Sequence, residues 1–303
     1  MDGILNVYKE ADFTSHDVVA KLRGILKTKK VGHGGTLDPQ VTGVLPIAVG
    51  KATRLLEYME AAGKVYEGEV TIGFSTETED AYGEIVKETP VLSNLTEAEI
   101  DAAMANFIGQ IQQIPPMYSA VKVNGKRLYE YARAGQTVER PVRQILIKEF
   151  VRTSSIRFEN HLVKFDFRVA CGKGTYVRTL AVDLAEKLGY AGHMSRLVRT
   201  ASNGLDISNA KTLAEIEQFR DENRLDEILQ PVEVAVSDLT RLDLNQAQFD
   251  KVCVGKFFQE SEFDNLENDE IFAAFFNDKL VAIYQKYPEK PGILKPKKVF
   301  VQA

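Results

Sequence analysis

The stretch Lys30 to Arg54, KVGHGGTLDPQVTGVLPIAVGKATR, limits what this chain can fold into more than any other. It packs Gly32, Gly34, Gly35, Gly43 and Gly50 around one carboxylate, Asp38, set between Leu37 and Pro39. Glycine admits positive φ and close backbone approach, while proline removes a donor and biases the preceding residue away from the α region. The stretch therefore predicts a shaped loop. An Asp before Pro is commonly only a turn former. Here His33, Thr36 and Thr42 crowd the same loop, and the apolar run Val44 to Val49 follows at once, which suggests a reactive group at the mouth of a buried strand.

Nucleotide-binding readings of these glycines fail on spacing. Gly43 and Gly50-Lys51 stand too far apart for a P-loop, and Ala52 occupies the place of its Ser or Thr. Gly32-His33-Gly34 follows a lysine-rich segment instead of a strand and lacks the third glycine of a dinucleotide fingerprint.

The rest of the chain alternates strands and helices. Gly3 to Tyr8 reads as a strand, and Thr14-x-x-Asp17 opens a helix with Val18, Val19, Leu22, Ile25 and Leu26 inward. Val65 to Phe74 reads as a strand with Val70, Ile72 and Phe74 on one face, followed by a loop from Ser75 to Gly83. Thr96-x-x-Glu99 caps a helix that Gly109 ends. From Gln113 to Gly135, Pro115-Pro116 stops regular structure and Asn124-Gly125 signals a tight turn. There Lys122, Lys126, Arg127 and Arg133 alternate with Tyr118, Tyr129 and Tyr131, a mixture suited to phosphates and unstacked bases. Ile145 to Val151 and Leu162 to Ala170 are strands, and Cys171 to Arg178 is a glycine turn into a helix. Tyr176 and Arg178 fall in its first turn, expected to point out of the core. Thr212-x-x-Glu215 caps a helix up to Phe219. Beyond about Asp238, short strands at Ile271–Phe276, Leu280–Tyr284 and Val299–Val301 predict a small β-rich appendage.

At 303 residues the chain can bury a substantial core and suggests a large domain with a smaller one. Its two cysteines and four histidines match no metal spacing. The N-terminus lacks a basic segment followed by a long apolar one. These features predict a cytoplasmic protein with no membrane span and no metal. A net charge of −5 speaks weakly against a nucleic-acid partner. Distribution speaks for one: Lys21, Arg23, Lys27, Lys29 and Lys30 lead into the Asp38 loop, and Lys122 to Arg143 forms a second basic stretch, while acid collects between Glu260 and Glu270.

GHGGTLDPQVTGVLP closely resembles the signature of the TruB family of tRNA pseudouridine synthases, GH-x-G-T-LDP-x-A-T-G-x-LP, and the likeness runs through about residue 205. It implies an α/β (α+β) fold with a mixed, mainly antiparallel central sheet over residues 1–237. An RNA-gripping insertion spans about 115–143, and a PUA-like RNA-binding domain 238–303. It makes Asp38 the catalytic residue, Tyr66 in its K-x-Y context the candidate base, and Arg178 of GKGTYVR the partner of Asp38. His33, Tyr176, Leu197 and Lys9 become substrate contacts, and Lys122, Lys126, Arg127 and Arg133 RNA contacts. Glu10, Gly172 and Val198 stand where the family usually has Pro, Ser and a second Arg. The implied reaction is isomerisation of uridine to pseudouridine in the T-arm stem-loop of tRNA, by a monomer with no cofactor, no metal and no obligate protein partner. An RNA-binding tRNA folding factor with secondary catalysis, or a relative directed to ribosomal RNA, are the alternatives.

Overall fold

The computed structural model describes residues 1–92, 95–264, 266 and 269–301. A central sheet runs in the order Leu229–Gln230, Gly3–Lys9, Thr42–Val49, Gly192–Ser202, Lys64–Ile72, Leu162–Cys171, Arg143–Arg152 and Gly109–Gln113. Its neighbours along this order are antiparallel except at the middle, where Thr42–Val49 meets Gly192–Ser202 in parallel through Val198↔Thr42 and Arg199↔Gly43. The mixed, mainly antiparallel sheet is the expected one.

Burial follows the patterns in the sequence. Val163, Phe165, Phe167 and Val169 alternate inward along their strand, while Thr42–Val49 is buried on both faces from Gly43 onward. Helix Ser15–Ile25, opened by a Thr14/Asp17 capping box, covers Leu5, Val7, Leu45 and Ile47 together with helix Leu213–Asp221. Helix Val177–Lys187 covers the other half, with Glu97–Ala105 beside it, over Val70, Ile72, Phe165 and Phe167.

Four local expectations are corrected. Helix Glu97–Ala105 closes on Asn106, and Gly109, at φ +104°, instead begins a strand. The strand from Lys64 stops at Ile72, because Gly73 turns at φ +134° and Phe74–Thr76 pairs with Ile85–Glu88 in a separate hairpin. Arg178 does not point out of the core: it is 5% exposed in a helix turn buried from Val177 through Ala181. The last strand is Ile293–Val299, whose Pro296 and lysines disguised it.

A second sheet runs Thr240–Asp243, Ile271–Phe276, Lys279–Lys286, Ile293–Val299, Phe258–Gln259. Ala273, Phe275, Leu280 and Ile283 share one apolar cluster with Ile4 and Val44 of the first sheet and with Ala52 and Met59 just beyond it. Glu57 meets Lys297 and Lys298 at 2.8 and 2.6 Å, and Arg54 lies over Phe300. The second sheet is thus seated on the helical turns Gly50–Leu55 and Leu56–Ala61, which directly follow the Asp38 strand.

Gly43 shows how tightly the centre is built. At φ +105° it abuts the partner strand so closely that a Cβ would lie 2.2 Å from the Arg199 carbonyl oxygen. Gly109 has nearly the same φ, +104°, but open space where its Cβ would go. We expect Gly109→Ala to cost about 1–2 kcal/mol of backbone strain, and Gly43→Ala at least about 2 kcal/mol more through the clash. Denaturant unfolding of the two variants measures this, and equal losses would disprove the close approach.

Candidate active site

Strands Val31–His33 and Thr42–Val49 pair as a hairpin, His33 opposite Ile47, and the loop Gly34–Val41 that joins them carries Asp38. Three buried side chains from three different elements hold this loop. Ser15 Oγ accepts from Leu37 N at 2.8 Å and donates to Leu37 O at 3.2 Å. Lys9, with no exposed surface, donates from Nζ to Pro39 O at 2.8 Å and to the carbonyls of Glu10 and Phe13. Arg199, equally enclosed, donates to Val44 O at 2.7 Å, Gly35 O at 3.1 Å and Thr36 O at 3.5 Å. Leu37 and Val41 face the core, so the loop is anchored by both polar and apolar contacts.

Above it, Arg178 Nε meets Asp38 Oδ2 at 2.9 Å, with the arginine side chain 6% and the aspartate 43% exposed. Its other nitrogens are fixed by carbonyls: Nη1 donates to Thr78 O at 2.6 Å and Nη2 to Tyr118 O at 3.1 Å. A guanidinium with every edge engaged is a rigid support for a carboxylate. Tyr176 caps the same helix, and its backbone is clamped by the buried Gln113 amide, which accepts from Tyr176 N at 2.8 Å and donates to Tyr176 O at 3.0 Å.

These groups wall a cleft of about 500 Å³. It brings together Asp38, Tyr66, Tyr176, Arg178 and Leu197 of the residues expected at the site, and adds Lys64 and Ser119. Tyr66 is 7% exposed; burial pushes its phenol up, and Arg199 opposes that shift. Lys9 and Lys64 are both pushed down to about 8, first by burial and with a contribution from Arg199. A smaller cleft of about 300 Å³ opens on the other side of Asp38, between Pro39, Asp80, Tyr82 and Arg196.

Two expected contacts lie outside the larger cleft. His33 stands at the end of its strand, half-buried and edge-on to His16, and burial lowers its pKa first of all. Lys9, expected as a substrate contact, has its ammonium enclosed and turned to the carbonyls that shape the loop. Lys122, Lys126, Arg127 and Arg133 are exposed on the insertion, which folds as a hairpin turning at Asn124-Gly125 and a helix, Leu128–Arg133. Val121 and Leu128 anchor it, and Tyr118, Ser119 and Tyr129 carry its contribution to the cleft wall. Arg127 and Arg133 both lie over the Tyr129 ring, at 5.8 and 5.3 Å, and Lys126 lies over Tyr131.

Sequence reasoning missed Arg199, Ser15 and Gln113. For Arg199 a signal existed: an odd separation on one strand puts it and Arg196 on opposite faces, so one of the two arginines had to turn inward.

Comparison with known proteins agrees with the geometry. The model for TruB family pseudouridylate synthase, N-terminal domain, matches residues 23–177, and that for the tRNA pseudouridylate synthase B C-terminal domain matches residues 178–237. The chain is 65% identical to tRNA pseudouridine synthase B of Lactococcus lactis subsp. cremoris (strain MG1363), with 99% of each chain covered. It is 60% identical to the protein of that name from Streptococcus mutans serotype c, covering 99% of this chain and 100% of that one. Among solved structures, it superposes on a chain of a Cbf5-Nop10-Gar1 complex with a TM-score of 0.76 at 28% identity, covering 99% of this chain and 85% of the other. Kinship over the whole length, together with the supported aspartate at the cleft, establishes that this chain belongs to the TruB family of pseudouridine synthases, enzymes of the isomerase class.

Proposed function

We propose that this enzyme converts a uridine in the T-loop of tRNA to pseudouridine, with Asp38 acting at the ribose of the target nucleotide. The observation that carries the proposal is the Asp38–Arg178 pair in the cleft wall, where one carboxylate oxygen is held by Nε and the other is left for substrate. The target base leaves its stack and enters the cleft between Tyr176 and Leu197. Asp38 then either attacks C1′ or removes a ribose proton, the glycosidic bond to N1 breaks, and the freed uracil turns. C5 bonds to C1′, and Tyr66 takes the C5 proton, which restores the ring. Arg178 fixes the carboxylate throughout, and His33 supports the nucleotide from outside the cleft wall. Lys122, Lys126, Arg127 and Arg133 hold the RNA backbone, and the C-terminal sheet, read as PUA-like, adds a second RNA contact. The chemistry uses protein side chains alone, needs no partner protein and takes place in the cytoplasm.

Purified protein incubated with unmodified tRNA transcript should produce pseudouridine at one T-loop position. Asp38→Asn should abolish conversion yet keep tRNA affinity within about tenfold, because one carboxylate contributes little beside many phosphate contacts. Retention of even a few per cent of the wild-type rate would make the catalytic assignment wrong. Arg178→Lys keeps the charge but loses the planar fork, so the rate should fall about a hundredfold or more with normal thermal unfolding. A fully active variant would show that Asp38 needs no such support.

The insertion has its own test. Each phosphate-neutralising cation removed lowers the slope of log affinity against log salt by about 0.7 to 0.9, so reversing Lys122, Lys126 and Arg127 together should lower it by roughly 2 or more. An unchanged slope would mean that these side chains do not touch the RNA backbone.

A further inference from the structure

Tyr66 lies on strand Lys64–Ile72 directly opposite Arg199 of strand Gly192–Ser202, whose guanidinium carbon is 6.0 Å from the phenol ring centroid. That guanidinium is wholly buried, it donates to the backbone carbonyls of Gly35, Thr36 and Val44, and a side-chain hydrogen bond with Tyr66 favours the ionised phenol. An arginine removed from water without a carboxylate keeps a full positive charge that neutral acceptors orient but do not cancel. Such a charge stabilises whatever anion forms beside it.

We infer that Arg199 is the electrostatic partner of Tyr66: it offsets the negative charge that the phenol oxygen carries when Tyr66 acts as the base in the final proton transfer. The inference rests on the functional reading above. The step balances without an added reagent. Tyr66 Oη gives its proton to solvent and becomes phenolate. After C5 has bonded to C1′, that phenolate takes the C5 proton, and the C–H electron pair returns to the ring. Arg199 acts through Tyr66 and is a positioning residue.

The charged and titratable surroundings of Tyr66 single out Arg199. From strand Leu162–Cys171, the Cys171 thiol is pushed up by burial and opposes phenolate formation. From the loop, Asp38 opposes phenolate formation. Lys64, on the strand of Tyr66 itself, and Lys9 beyond it are weakened acceptors of charge, each brought down to about 8. Arginine does not deprotonate in proteins, so Arg199 is the cation of this group that persists at the pH where a buried phenol ionises.

The test is the pH dependence of single-turnover conversion on unmodified tRNA by wild type, Arg199→Gln and Arg199→Lys, with thermal unfolding and tRNA affinity as controls. In wild type the rate rises with pH along a limb set by Tyr66. Arg199→Gln should move that limb up by about one pH unit or more, with tRNA affinity within a few-fold. Should the Gln variant fail to fold, Arg199→Lys decides, with 3-fluorotyrosine installed at position 66. The more acidic phenol should restore a lost rate several-fold if phenolate formation is what was impaired. A rate lowered by the same factor at every pH, or no gain from fluorotyrosine, would mean that Arg199 only props the loop, and overturns the inference. A wild type that converts no uridine overturns the functional reading as well, which separates the two failures.

Discussion

A loop that holds a carboxylate still over the edge of a sheet must first satisfy its own carbonyl groups, which here are met by buried side chains from three other elements. The arrangement of the site follows from that requirement. Lys9 arrives from the first strand, Ser15 from the start of the first helix and Arg199 from the central strand, and each bonds a different part of Gly35–Val44. The parallel contact at the middle of the sheet is what brings Arg199 under the loop, and Gly43 is glycine because the two strands touch there. Two further carbonyls, from Thr78 and Tyr118, immobilise Arg178 from above. Asp38 thus sits between two layers of cations whose orientations are set by backbone.

Much of this was legible in the residues, and what was not has a physical cause. The glycine-rich loop announced itself because positive φ and close approach leave a compositional mark. The capping boxes at Thr14, Thr96 and Thr212 were equally readable, since their hydrogen bonds are local in sequence. Burial of a cation leaves no such mark. Lys9 and Arg199 look like surface residues until the sheet order is known, and the carbonyls that receive Arg199 lie far from it in the chain. Arg178 misled for the same reason: its acceptors, Thr78 and Tyr118, belong to segments that only the folded chain brings over the helix. Strand Ile293–Val299 was hidden because only Leu294 is buried in it, while its lysines reach out to Glu57 and the Arg54 carbonyl.

The net charge of −5 is a sum over the whole chain, and the site lives in a different local field. Lys64 and Arg178 line the cleft, Lys9 and Arg199 lie beneath its Asp38 loop, and repulsion from Arg199 joins desolvation in depressing the two lysines. Burying such a group is costly and gives stability little in return. What it gives is a positive potential at a fixed place.

The seat of the second sheet carries a consequence of scale. Because it is bolted to the helical turns that continue the Asp38 strand, with a shared apolar cluster and the Glu57 ion pairs as fasteners, it cannot swing relative to the cleft without breaking that core. Any RNA that touches both sheets must therefore present its two contact points at one separation and one angle. For such an RNA the spacing of the two sheets is a fixed dimension, set by the packing between them rather than by the RNA.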